Sequence, residues 1–186
     1  MASLSNRDDN QRVLAAFAAP RYSTISFPDY RFIPGQNPRP IAETPGPSAA
    51  LVSPQAWINS PEYLYGCDLY NHAYWWEAHE AWEGLWRLAG KGGVQGRFLQ
   101  GLIQASACHL KRFVGHVKGV ERLRRSSLGY LRMILEDMDG ESYMGLDLVA
   151  FVKHFETYYR GCDSPSETRN EHDPRRYPYL CLRVSS

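Results

Sequence analysis

Nine of the twelve prolines in this 186-residue chain lie between Pro20 and Pro61, and the next is Pro165. Proline fixes its own φ, removes a backbone donor and pushes its predecessor toward extended geometry. The stretch "APRYSTISFPDYRFIPGQNPRPIAETPGPSAALVSPQAW" therefore reads as an irregular or polyproline-like arm. Tyr22, Phe27, Tyr30, Phe32, Ile33 and Trp57 make it too apolar for a solvated linker. Several of them are expected to lie on a helical body or on a neighbouring subunit.

After the arm the punctuation changes. Ser60 as cap and Pro61 at the first helical position start a helix over 61 to 71. Asn71 and His72 can end it, an uninterrupted helix being the alternative, and "AYWWEAHEAWEGLWRLAG" then closes a second helix at Gly90. Phe98, Leu102, Ala105, His109 and Phe113 recur at helical spacing in a third, over roughly 94 to 114. A fourth starts at Val120 and carries Leu123, Leu128, Leu131 and Leu135, and "LDLVAFVKHFETYYR" is a fifth. Helices alternating with short loops predict an all-α, antiparallel bundle of about five helices. The expected division is an arm over 1 to 56, a bundle domain over 57 to 160, and a polar tail over 161 to 186 in which only "YLCLRV" can form a short strand or dock.

Charge and cysteines narrow the partners. Twenty-one Lys and Arg against twenty Asp and Glu give a net charge of +1, so no global attraction to nucleic acid or an anionic membrane follows. The basic run "KRFVGHVKGVERLRR" of residues 111 to 125 is expected to be a solvated face pairing with the acidic "EDMDGE" of 136 to 141. Cys67, Cys108, Cys162 and Cys181 form no C-x-x-C pair, which disfavours a zinc ribbon or disulfide scaffold. With no secretory signal and no stretch near the roughly 18 apolar residues of a membrane span, a cytoplasmic protein with reduced thiols is expected.

The candidate chemistry lies in "YWWEAHEAWEGLW", residues 74 to 86. "HEAWE" is one residue short of H-E-x-x-H, which places two histidines and a general base around zinc. His79 and Glu83 are one helical turn apart, so they either share a cation or bond directly, with the carboxylate fixing the imidazole tautomer. On a continuous helix His72 and Trp76 share their stripe, Trp75, Trp82 and Trp86 lie beside it, and Glu77 and Glu80 point elsewhere. A zinc or iron site needs about three protein ligands, so two on one helix are only part of one. His109 lies on an apolar stripe, His116 sits in a glycine-flanked turn, and the E-x-x-H of di-iron bundles is absent.

On the third helix Gly101 stands between Gln100 and Gln104. Glycine inside a helix costs about 1 kcal/mol relative to alanine, so it points to close approach of another helix. That approach would bring Gln104 beside His79 and Glu83, as part of a polar network or as a contact for a ligand's head group. The tryptophans read as core and interface before ligand pocket.

"YLYGCDLYNHAYWWEAHEAWEGLWR", followed by "GRFLQGLIQASACHLKRFVG" and "KGVERL", closely resembles the small helical domain known as domain of unknown function 309, over roughly residues 57 to 135. The arm sequence "YRFIPGQNPRP" is similar to the N-terminal extension of one branch, with Arg39 where that branch has histidine. The resemblance implies an all-α, right-handed bundle of about five helices and no established reaction. It groups Asn71, Glu77, His79, Glu80, Glu83, Trp86, Gly101 and Gln104 as motif residues.

The leading functional expectation is a non-catalytic binding or oligomerisation module, with His79, Glu83 and Gln104 in a buried network and aromatic surfaces meeting a second copy or a partner protein. No membrane or nucleic-acid partner is expected. The alternative is a metal-dependent hydrolase, in which His79 and Glu83 hold a divalent metal and Glu80 or Glu77 is the base. A third reading is a binding protein for a small polar ligand, contacted by Gln104 and Trp86.

Overall fold

The computed structural model describes residues 19–40, 50–138, 140–160 and 176–183. Its frame is five α-helices: α1 (Pro61–Asn71), α2 (Trp75–Ala89), α3 (Val94–Phe113), α4 (Val117–Asp137) and α5 (Leu148–Tyr159). Consecutive helices pack on one another, and α3 against α4 is the most extensive pairing. The chain is thus the all-α bundle that the alternation of helix and short loop predicts. No described helix is long and apolar enough to cross a membrane.

Helix starts follow local capping. Ser60 Oγ accepts the Tyr63 N–H at 3.4 Å, with Pro61 at the first helical position. His116 Nδ1 accepts the Gly119 N–H at 2.9 Å, which begins α4 at Val117 rather than Val120. His116 is therefore a cap and not an idle ligand. Asp147 Oδ1 does the same for Ala150 N–H at 2.9 Å and starts α5.

The break between α1 and α2 excludes an uninterrupted helix. Ala73, not Asn71, takes the left-handed conformation, with φ of 65°, at about 1–2 kcal/mol for a residue with a Cβ. His72 therefore leaves the stripe of Trp76, His79 and Glu83. It packs instead on Phe27 of the arm, with ring centroids 4.9 Å apart.

Two glycines set helix spacing. A Cβ on Gly101 would lie 2.5 Å from Leu131 Cδ2, and Ser127 Oγ donates to the Gly101 carbonyl at 2.8 Å. The close approach expected there is real, but the helix that approaches is α4 rather than α2. A Cβ on Gly66 would lie 2.1 Å from Trp82 Nε1, so α1 and α2 meet through an indole laid on bare backbone. The buried apolar side chains of α4 are Val120, Leu123, Leu128, Leu131 and Ile134, with Leu135 only partly covered.

A hairpin absent from the helix-only reading precedes α5: β1 (Ser142–Tyr143) pairs antiparallel with β2 (Leu146–Asp147). Met144 and Gly145, with φ of 47° and 78°, make the left-handed pair that a two-residue hairpin loop needs. Trp57, on a 3-10 turn (Pro54–Asn59), covers Gly145 where a Cβ would be 2.4 Å from its ring. The described part of "YLCLRV", residues 179–183, docks as expected, Leu182 forming an antiparallel bridge with Leu146. Cys162, the polar stretch 161–175, and arm residues 1–18 and 41–49 lie outside the described residues.

Candidate functional site

The arm is fastened to the bundle by side chains of α1 and α2. Asp68, fully buried, accepts the backbone N–H of Tyr22 at 2.6 Å, that of Ser23 at 2.8 Å and the Ser23 hydroxyl at 2.6 Å. Asn71, also fully buried, donates to the carbonyls of Pro20 and Leu180, each at 3.1 Å, and accepts the Leu180 N–H at 2.8 Å. One amide thus ties the arm, α1 and the C-terminal segment together. Glu77 Oε1 accepts the Phe32 N–H at 2.6 Å. Desolvation raises the Glu77 carboxyl pKa above its ordinary value, against the lowering effect of the Phe32 hydrogen bond and the Arg31 charge. Arg31 is itself lowered by desolvation, and its guanidinium lies 5.2 Å from the Phe113 ring centroid.

The same helix turns its other face outward. His79 Nε2 lies 3.8 Å from Glu83 Oε2, too long for a hydrogen bond, and the two side chains keep 30% and 29% of their exposure. Glu83 is instead bonded to Arg87, at 2.8 Å. Glu80 is exposed and, among the described residues, has no ion pair. One ligand atom from each of His79, Glu80 and Glu83 can be chosen so that all three lie within 4.8 Å of one another. Trp76 stacks on the His79 ring at 5.8 Å and 19°, and Arg39 lies over Trp76 at 4.7 Å. Trp86, half-buried, is capped by Lys91 at 5.5 Å.

This arrangement corrects the expected buried network of His79, Glu83 and Gln104. The first two are solvated. Gln104 is partly covered on α3 and, among the described residues, hydrogen-bonds neither, because Gly101 admits α4 and not α2. Of the four tryptophans on α2, Trp75 and Trp82 are core, while Trp76 and Trp86 are half-buried against it.

The network that is buried centres on His109. Its Nε2 is 2.8 Å from the Tyr70 hydroxyl and its Nδ1 is 2.7 Å from the Tyr159 hydroxyl. Trp75 Nε1 donates to the Tyr177 hydroxyl, and that hydroxyl donates to the Tyr70 carbonyl, both at 2.9 Å. α1, α2, α3, α5 and the C-terminal segment therefore meet at one imidazole. Burial raises the pKa of Tyr70, Tyr159 and Tyr177 well above the usual phenol value, so all three hydroxyls stay protonated.

Sequence reading missed Asp68 and undervalued His109. Both carry the same signal, a polar residue in an otherwise apolar helical stretch, and buried polar groups need partners. Among the described residues the basic run makes no ion pair with "EDMDGE". Arg124 and Arg125 bind Glu121 within the run, at 2.8 and 2.9 Å, while Asp137 is taken by Arg97 at 2.8 Å.

Residues 63–123 match the family described as "Domain of unknown function (DUF309)". No curated protein and no solved structure matches the chain. The matched span contains the outward face of α2, the Asn71 clamp and the Gly101 contact. The part of this chain that is similar to the DUF309 family is thus residues 63–123 of 186.

Proposed function

We propose that the chain is a non-catalytic binding module of the cytosol whose working face is the outer side of α2, where His79, Glu80 and Glu83 take a divalent metal ion. The observation that carries this reading is the convergence of three ligand atoms within 4.8 Å on one exposed helical turn. An imidazole and two carboxylates form a donor set suited to zinc. The side chains are solvated, so they can rotate inward without breaking a core contact. Arg87 competes for Glu83 and would be displaced. Trp76 and Trp86 give the same face an aromatic border through which a second copy or a partner protein can be met. The buried free thiol of Cys67 fits a reducing compartment.

Calorimetric titration of zinc into untagged protein should show one site that His79→Ala abolishes. No heat of binding, or equal binding by the variant, would overturn the assignment.

Metal-dependent hydrolysis is the second reading, in which His79 and Glu83 alone hold the metal and its remaining coordination positions are open to water. Glu80 would then be the base, since Glu77 is occupied by the Phe32 N–H. Zinc-dependent hydrolysis of p-nitrophenyl phosphate, lost in Glu80→Gln while zinc stays bound, would decide for it.

A further inference from the structure

Apart from the α2 face, a cavity of about 450 Å³ opens along the first half of α4. Its lining includes Lys118, Arg122, Arg124 and Arg125 against a single carboxylate, Glu121. Glu121 is spent on Arg124 and Arg125, at 2.8 and 2.9 Å. Lys118 and Arg122 have no ion pair among the described residues. Lys118, Arg122 and Arg125 follow one another at helical spacing, so their side chains share one stripe.

The placement runs against helix electrostatics. The start of a helix carries partial positive charge and favours acidic side chains, yet the first turn of this 21-residue helix has none. A further cation stands behind the wall. The Arg112 guanidinium lies over Tyr158 at 4.3 Å and 5.5 Å from the ring of Tyr159, which lines the cavity. Its Nη1 is buried without a hydrogen-bond partner among the described residues. Among the described residues, Lys118 and Arg122 on this wall face no carboxylate of their own.

We propose that the cavity binds a small organic phosphate of about mononucleotide size. Guanidinium groups recognise phosphate by paired hydrogen bonds, and Lys118 adds a point charge. Val117, Val120 and Tyr159 form an apolar and aromatic wall for the organic part. The volume lies within the roughly 300–1,000 Å³ of small-molecule sites. The cations cluster within about two turns of one helix on a chain of net charge +1, with Arg112 behind them, which fits a compact ligand better than the longer track of a nucleic-acid strand.

Titration of the full chain with adenosine 5′-monophosphate, inorganic phosphate and a twelve-nucleotide RNA tests this. Adenosine monophosphate should bind more tightly than phosphate, and the double variant Lys118→Glu, Arg122→Glu should weaken it at least about tenfold. Both positions are exposed, and acidic side chains suit a helix start, so the variant's own Tm should be unchanged or slightly raised. No binding at millimolar nucleotide, or equal binding by the double variant, would overturn the site. Phosphate binding as tightly as the nucleotide would overturn the apolar wall as its seat. RNA binding without nucleotide binding would overturn the ligand class.

Discussion

His109→Ala should lower the unfolding free energy by about 4–5 kcal/mol, measured by urea denaturation followed through tryptophan fluorescence. A neutral imidazole offers one donor and one acceptor, and the Tyr70 and Tyr159 hydroxyls match either tautomer. Removing the ring leaves both hydroxyls buried without that partner, at about 1–3 kcal/mol each. It also deletes packing against Trp75, stacked at 5.8 Å, and Tyr177, at 4.8 Å, worth about 1 kcal/mol or more. Against a typical stability of about 5–15 kcal/mol, the variant would sit near the folding threshold. Tyr70→Phe, which loses one hydroxyl and keeps the ring, should lose only about 1–2 kcal/mol. A His109→Ala loss below about 1.5 kcal/mol would mean that the helices are not joined through this imidazole.

Gly66→Ala should also be strongly destabilising, by about 3 kcal/mol or more, although propensity alone favours alanine in a helix by about 1 kcal/mol. The new Cβ would fall 2.1 Å from Trp82 Nε1, and Trp82 is fully buried, so the indole has nowhere to retreat without separating α1 from α2. Its displacement also breaks the 3.3 Å hydrogen bond from Nε1 to the Tyr63 carbonyl. Overpacking costs about 1–3 kcal/mol and the orphaned indole N–H a similar amount, which together outweigh the propensity gain. A stabilised Gly66→Ala protein would show that the helices have room there.

Helices and their order are legible because capping and apolar spacing are local. Ser60-Pro61 and Gly90 mark ends that the structure keeps within a residue. Side-chain partners are not local. Gly101 signals a close helix, but nothing in "GLIQ" says which one, and placing α2 there instead of α4 produced the buried His79, Glu83 and Gln104 network that does not form. His109 lies on a recognisable apolar stripe, yet its tyrosines come from residues 70, 159 and 177, far away along the chain. The two-residue strands are invisible to periodicity because they are shorter than any period that could reveal them. The arm's apolar residues correctly suggest docking, while the groups that fasten it, Asp68 and Asn71, become clamps only once backbone segments from both ends of the chain reach α1.

The motif of α1 and α2 thus divides into residues that hold the fold and residues that face outward. Thermal melts in metal-free buffer, comparing Asn71→Ala with His79→Ala and Glu83→Ala, test that division most directly. Truncating Asn71 takes the partner from the Pro20 carbonyl and the Leu180 N–H, while the Leu180 carbonyl keeps the Tyr22 hydroxyl at 2.9 Å, so a loss of about 2–3 kcal/mol is expected, or roughly 4–12 °C in Tm for a chain of this size. Truncating His79 or Glu83 removes only solvated contacts, and Tm should stay within about 2 °C of the parent. A large drop for His79→Ala or Glu83→Ala, with Asn71→Ala unchanged, would contradict it.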